Sequence, residues 1–281
     1  MDFITTILLM TTETITHPVF GAVLVLALTF DLGLMSKKNK KVTIKNALYQ
    51  TFFWVGLALA FFVYMWSAEG QKPALEYLSA YLMEWSLSID NIFVFILIFS
   101  SFGVKEKYFG RVLLAGIIMA IVFRIIFISV GVALVAKFHW VLYIFGVFLL
   151  VTGIKMFTSD DEEAYDPQDS KIYKIIKKFI PMVPHDGEGK YTVIENGKKY
   201  YTTLFFVVIM LAIIDIVFAM DSIPAVMGIV DNSPGNEDVA KLVIYTSNIF
   251  AVLGLRSLFF LLRGAVTKFD YLQQGIAIVL V

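Results

Sequence analysis

The stretch Glu84-Trp-Ser-Leu-Ser-Ile-Asp90-Asn91 places two carboxylates in the middle of a strongly apolar segment, residues 74–102. The chain repeats this arrangement, because Asp215-Ile-Val-Phe-Ala-Met-Asp221-Ser222 lies within the apolar residues 202–230. An ionisable group inside a bilayer is costly, so its presence is read by default as functional. The two matched acidic pairs therefore predict a functional site within a membrane protein.

Composition supports this class of protein. Of the 281 residues, 59% are hydrophobic, against roughly 45–50% in soluble domains. The formal net charge is 0, which gives no reason to expect a nucleic-acid partner. The sequence has no cysteine, which excludes disulfides, thiolate metal sites and cysteine catalysis. None of the three histidines lies in the interior of an apolar span, so no zinc or copper site and no resident cofactor is expected.

Apolar segments long enough to span a bilayer recur along the chain, since a spanning helix needs roughly 17–25 residues. The predicted spans are residues 18–35, 47–66, 73–102, 111–136, 139–157, 202–230, 239–266 and an incomplete eighth that starts at 271. Residues 158–201 form one long polar loop. The prediction is an all-α, polytopic membrane bundle.

The distribution of basic residues predicts the orientation. If the lysines at 37–45 are cytoplasmic and the spans alternate, 18 of the 23 Lys and Arg residues fall on the cytoplasmic side. Such a bias is the usual positive-inside signal. The sequence thus predicts a multi-pass membrane protein with its N-terminus outside and the 158–201 loop in the cytoplasm.

An internal repeat follows from the same residues. Each acidic pair is followed by an intramembrane arginine, Arg124 at 34 residues from Asp90 and Arg256 at 35 residues from Asp221. The two segments enter from opposite sides, so the repeats are inverted, as in many secondary transporters. The predicted units are residues 1–72 with two N-terminal spans, 73–157 with the first three-helix repeat, 158–201 with the loop, and 202–281 with the second repeat.

Helical geometry sorts the polar residues into faces. Glu84, Ser88 and Asn91 share one face at i, i+4 and i+7, and Asp215, Ala219 and Ser222 form the equivalent face. Asp90 and Asp221 lie about 240° from these acids in an unbroken helix. They would join the site only if the helices kink or unwind, which Pro224 makes possible in the second segment because it leaves the carbonyl of Met220 without a donor.

The excess of intramembrane acids predicts the ligand. The predicted spans contain five acids, counting Asp31, and only two arginines. A hard divalent cation would offset most of that excess and accept oxygen ligands. Burial would hold some carboxylates protonated without the ion, so binding would release protons. The predicted ligands are Glu84, Asp90, Asn91, Asp215, Asp221 and Ser222.

Several supporting residues have two interpretations. Arg124 and Arg256 either orient the acids or only hold the bundle together. Asp31, near a membrane edge, is more typical of a cap or gate than of a ligand. Asn248 offers an oxygen to the ion or a hydrogen bond between helices, and Met220 offers a thioether or simple packing.

The polar loop contains three further patterns. Residues 160–163 form an acidic run that is either a solvated surface or a low-affinity metal sensor. Residues 171–180 are typical of an amphipathic helix on anionic lipid. Residues 191–201 predict a β-hairpin with an Asn196-Gly197 turn.

The two acidic segments, Glu84-Trp-Ser-Leu-Ser-Ile-Asp-Asn-Ile-Phe and Asp215-Ile-Val-Phe-Ala-Met-Asp-Ser-Ile-Pro, resemble the signature segments of the TerC/Alx family. That family is similar to the wider lysine-exporter superfamily, whose members pair acidic helices in inverted repeats. The resemblance runs from about residue 31 to residue 271. It implies manganese export across the cytoplasmic membrane, with the six predicted ligands as site residues.

Three other functions are weighed against export of manganese in exchange for protons. An intramembrane aspartyl protease would need two carboxylates that share a proton, and the Gly-x-Gly-Asp sequence of such proteases is absent; no enzyme activity is therefore expected. A non-transporting scaffold would aid secretion or metal loading of other proteins. An amino-acid exporter would use a membrane arginine to bind the substrate carboxylate.

Overall fold

The computed structural model describes residues 43–138, 180–231, 233 and 235–266, with isolated positions between 18 and 29 and between 140 and 151. In these parts of the chain, five helices are long and apolar enough to cross a membrane. They are α1 (Ile44–Ala68), α2 (Gln71–Ser101), α3 (Glu106–Lys137), α4 (Thr203–Ile229) and α5 (Glu237–Val266). These helices confirm five predicted spans and the polytopic helix bundle. The predicted eighth span and the acidic run at 160–163 lie outside the described residues, as do most of the first and fifth spans and almost all of the amphipathic segment.

Local sequence signals set the helix boundaries. Thr43 caps α1, because its hydroxyl accepts a hydrogen bond from the amide of Asn46 at 3.3 Å. Gly70, with φ at 94°, permits the tight connection from α1 to α2. Pro73 lies in the first turn of α2, where a missing amide hydrogen costs nothing. α3 begins earlier than its apolar residues predict, since Glu106 in its first turn suits the helix dipole.

Contacts at the two ends of the bundle define the helix directions. At one end, Lys72 of α2 pairs with Asp231, just after α4. At the other end, the ring of Phe102 after α2 lies 5.1 Å from that of Phe206 near the start of α4. α2 and α4 are therefore antiparallel. We name the two ends the Lys72 end and the hairpin end, the latter for the strands described below.

Contacts between α3 and α5 define the directions of these two helices in the same way. At the hairpin end, Arg263 near the end of α5 donates to Glu106 at the start of α3 over 2.9 Å. Toward the Lys72 end, the hydroxyls of Ser129 in α3 and Tyr245 in α5 are 2.7 Å apart. The pair α2–α3 thus runs opposite in sense to the pair α4–α5.

The helix α5 lies at the centre of the described bundle. It packs against α1, α2 and α3, and nearly all of its apolar window is buried. Aromatic rings fill the space around it, among them Phe61, Tyr77 and Phe250. This packing fixes the depth of the polar residues that α5 carries.

The predicted β-hairpin is confirmed at the hairpin end. Strand β1 (Thr192–Glu195) pairs antiparallel with β2 (Lys198–Tyr201). Asn196 and Gly197 both have positive φ, 51° and 76°, as a type I′ turn requires. The segment before the strands contacts α3, because Arg111 donates to the carbonyl of Gly189 at 2.7 Å and its guanidinium lies over the ring of Tyr191.

An ion pair strengthens this contact. Nζ of Lys105 lies 2.6 Å from a carboxylate oxygen of Asp186. The hydrogen bond from Lys105 holds the pKa of Asp186 below its ordinary value of 3.8, so the carboxylate stays charged at neutral pH. The hairpin is therefore docked on the bundle by charge as well as by packing.

Candidate functional site: a buried carboxylate–guanidinium cluster

Arg124 of α3 is the centre of the candidate site. Its Nε and Nη2 donate to the two carboxylate oxygens of Asp215 at 2.8 and 3.0 Å, forming a fork. Its Nη1 donates to Oε2 of Glu84 at 2.8 Å and to Oδ1 of Asn248 at 3.0 Å. One guanidinium thereby joins α2, α3, α4 and α5.

The cluster is sealed from solvent. Arg124, Glu84 and Asp215 are each 1% exposed, and Asn248 is fully buried. Burying charges is costly unless they are paired and hydrogen-bonded. The fork between Arg124 and Asp215 is the arrangement in which such a pair is strongest. Two carboxyl groups thus share one guanidinium.

The predicted helical faces hold in the structure. Glu84, Ser88 and Asn91 are all buried on α2, and Asp215, Ala219 and Ser222 are all buried on α4. Both helices are continuous through these residues, including Pro224, which lies inside α4. The faces therefore arise from ordinary helical periodicity.

The antiparallel register sets the depth of each polar group. The contact of Phe102 with Phe206 fixes one end of the α2–α4 pair. The amide of Asp231, which donates to Glu76 at 3.3 Å, fixes the other. Ser222 then lies at the depth of Glu84, and Asn91 at that of Asp215, to within about two residues or ~3 Å.

Four buried oxygens around the cluster have no hydrogen-bond partner within the part of the chain that the structure describes. They are Oε1 of Glu84, Oγ of Ser88, Oδ1 of Asn91 and Oγ of Ser222. Buried polar atoms are almost always satisfied in native proteins, so such atoms need an explanation. Oxygen is the ligand atom that hard cations bind.

Ser88 is the residue that the sequence-based ligand set omits. Its spacing from Glu84 places it on the same face, and that spacing is the signal that identifies it. A serine in a membrane helix is often bonded to its own backbone, whereas Oγ of Ser88 has no partner in the described residues.

Asp90 and Asp221 do not lie beside Arg124. Asp90 is exposed on the outer face of α2, and Asp221 is half-buried on α4. Met220 next to it is 43% exposed. The structure thus places the second acid of each motif about a third of a turn away from the buried face, as an unbroken helix requires. Among the described residues, no three acids or histidines gather closely enough to hold a metal by themselves.

Of the other supporting residues, Asn248 belongs to the cluster and Arg256 does not. Asn248 bonds across helices, and its Nδ2 donates to the carbonyl of Ile244 at 3.1 Å. Arg256 lies elsewhere: a Cβ on Gly110 would be 3.3 Å from its Nη2, so it reaches the start of α3 rather than Arg124. Asp31 lies outside the described residues.

A small cavity adjoins the cluster on the side of the hairpin end. Its volume is about 10 Å³, which is room for about one water molecule. Asp215 contributes the polar part of its lining, and Phe95, Leu113 and Leu211 contribute apolar parts. Apolar side chains therefore separate the acids from the hairpin end in this conformation.

The fold and the cluster define a class: a polytopic membrane protein whose helices meet at a buried ion-paired core. Within that class, the chain belongs to the TerC family, because residues 69–281 match "Integral membrane protein TerC family". It is 42% identical over 263 residues to "Uncharacterized membrane protein STKORF319" of Myxococcus xanthus, covering 93% of this chain and 79% of the relative. It is 36% identical over 271 residues to "Putative membrane-bound redox modulator Alx" of Escherichia coli K12, covering 93% and 82%. No solved structure matches the chain.

Proposed function

We propose that the protein is a secondary transporter that exports divalent manganese across the bacterial cytoplasmic membrane in exchange for protons. The observation that carries this proposal is the buried Glu84–Arg124–Asp215 cluster with its unpartnered oxygens, at the junction of helix pairs of opposite sense. Carboxylate and other oxygen ligands suit Mn²⁺. The ion is a transported substrate, and the proposal includes no resident cofactor and no enzyme activity.

The proposed roles follow the two faces of each helix. Glu84 and Asp215 supply the carboxylates of the site from the buried faces, and Asn91 and Ser222 supply neutral oxygens. Asp90 and Asp221 exchange protons on the outer faces and reach the ion only in another conformation. Arg124 orients the buried acids, while Arg256 supports the start of α3.

The topology is part of the proposal. The hairpin end faces the cytoplasm, in keeping with the surplus of Lys and Arg on that side. The Lys72 end faces outward, and the lipid bilayer surrounds the bundle. Transport would alternate between openings at these ends around the fixed cluster, as inverted repeats allow.

The alternatives receive less support. An amino-acid exporter needs an arginine whose fork can clamp a substrate carboxylate, and the fork of Arg124 is occupied by Asp215. Relatives carry the name redox modulator, but these 281 residues contain no cysteine, so they carry no thiol redox chemistry. A scaffold that assists other proteins would show no flux alone.

Manganese flux into proteoliposomes, with internal pH recorded at the same time, tests the proposal. We expect Mn²⁺ movement with opposite proton movement, abolished by Glu84→Gln. The matched control is Glu195→Gln, which removes an exposed carboxylate of the hairpin outside the cluster and should preserve flux. If folded, unmodified protein moves no divalent ion, the transporter proposal is wrong.

A further inference from the structure

Arg124 holds its two carboxylates unequally. Asp215 receives a fork of two hydrogen bonds, from Nε and Nη2. Glu84 receives one hydrogen bond through Oε2, from an Nη1 that also donates to Asn248. A forked pair is both stronger and more geometrically fixed than a single contact. Glu84 is therefore the carboxylate that the guanidinium can release.

Three of the four unpartnered oxygens lie in the Glu84 half of the cluster, and the fourth, Oδ1 of Asn91, lies at the depth of Asp215. Oε1 of Glu84, Oγ of Ser88 and Oγ of Ser222 have no partner in the described residues. Ser222 lies at the depth of Glu84 in the α2–α4 register, and Ser88 lies one turn further along the same face. The Glu84 half thus has oxygens to offer, whereas both oxygens of Asp215 are engaged.

We propose that Arg124 is the resident counter-cation of this half of the site, and that the transported cation binds Glu84, Ser88 and Ser222 by displacing it. The inference rests on the proposed function and deepens it. On displacement the guanidinium keeps its fork to Asp215 and its bond to Asn248, so only the bond to Glu84 is exchanged. Ser88 becomes a ligand of the ion.

This exchange gives Arg124 a role in release as well as in binding. In the ion-free state the guanidinium neutralises Glu84, which would otherwise be a buried and unpaired charge. When the ion is bound, the same guanidinium remains within reach and competes for the carboxylate. The affinity for the substrate is therefore kept low enough for the ion to leave.

Equilibrium binding of Mn²⁺ to the purified full chain tests the competition. Relative to unmodified protein, we expect Arg124→Gln to bind Mn²⁺ about tenfold more tightly, the size by which one neighbouring charge commonly shifts a proton affinity. Arg263→Gln, which removes an arginine paired at the hairpin end, should leave the affinity unchanged. Equal or weaker binding by folded Arg124→Gln would overturn the inference.

Two further variants separate competition from a diffuse charge effect. Adding Glu84→Gln to Arg124→Gln should abolish the gain, whereas adding Asp215→Asn should retain most of it. A gain that depends equally on both acids contradicts the assignment to the Glu84 half. In proteoliposomes, Arg124→Gln should lower both the KM for Mn²⁺ and the maximal flux, since release loses its competitor.

If Arg124→Gln does not fold, Arg124→Lys decides, because it keeps the charge but cannot fork on Asp215 while reaching Glu84. We then expect binding a few-fold tighter than in the unmodified protein, and unchanged binding overturns the inference. The absence of Mn²⁺ binding by the unmodified protein has a different meaning. It overturns the proposed function itself before any variant is compared.

Discussion

At the scale of single residues, Arg124 determines which acids act together. The sequence contains four matched acids, but the guanidinium selects Glu84 and Asp215 and leaves Asp90 and Asp221 on other faces. Its selectivity comes from reach and direction, since the donors of an arginine are fixed in a plane. The neutral oxygen of Asn248 then completes the set without adding charge.

Asn248 tests the importance of that set. We expect Asn248→Ala to destabilise the protein by about 1–3 kcal/mol, because a buried donor of Arg124 loses an acceptor. Ser257→Ala is the matched control on the same helix, since its hydroxyl bonds only to the carbonyl of Gly254 in its own helix among the bonds described. Thermal unfolding in detergent measures both variants. Equal stabilities would show that the bond to Arg124 contributes little.

At the scale of elements, the sequence predicts more of the fold than of the site. Apolar length predicts five helices, and a spacing of four and seven residues predicts the buried face of Glu84. An Asn-Gly pair predicts the hairpin. These features depend on neighbours in the chain. The contact of Arg124 with Glu84 and Asp215 depends instead on the depth and rotation of three helices, which no local pattern encodes.

Pro224 illustrates the same difference. A proline at this position predicts a kink or break in the second acidic segment, yet α4 continues as a helix through Pro224. Neighbouring helices can support a proline inside a membrane helix, and Pro224 is buried among them. The proline therefore leaves Asp221 on the outer face in this conformation.

The docked hairpin offers a prediction at this scale. Gly189 has φ at 91°, and a Cβ there would lie 2.6 Å from the ring of Tyr108. We expect Gly189→Ala to undock the hairpin, because the substitution adds a clash with a buried ring to backbone strain. Hydrogen exchange of the amides at 182–202 should accelerate.

Gly197→Ala provides the control for that change. Gly197 also has a positive φ, 76°, but nothing lies within 4 Å of a Cβ at that position. It should cost only the strain of the turn, about 1–2 kcal/mol, and leave docking intact. Similar exchange in the two variants would mean that strain alone, and not the contact with Tyr108, controls docking.

At the scale of the whole molecule, ion pairs fasten the two helix pairs to each other at both ends. Lys72 pairs with Asp231 at one end, and Glu106 pairs with Arg263 at the other. The hydrogen bond from Lys72 holds the pKa of Asp231 far below its ordinary value of 3.8. This pair is therefore formed at neutral pH and is lost only when acid titrates Asp231 through that lowered value.

Locking either end should stop alternating access. The sequence has no cysteine, so Lys72→Cys with Asp231→Cys, or Glu106→Cys with Arg263→Cys, can be bridged selectively by a short bis-methanethiosulfonate reagent, which forms a reducible disulfide with each cysteine and releases methanesulfinate. We expect each bridged pair to lose Mn²⁺ flux and to regain it on reduction. Single-cysteine variants treated with the same reagent serve as controls. Undiminished flux through a bridged protein would refute movement at that end.

The central position of α5 has a consequence for how the protein is made. This helix carries Thr246, Ser247, Asn248, Arg256 and Ser257 within its span, and its neighbours cover almost all of them. A segment with that content partitions poorly into lipid by itself. We therefore expect α5 to insert stably only after α1, α2 and α3 are in the membrane. The order of synthesis meets this condition, because these three helices precede α5 in the chain.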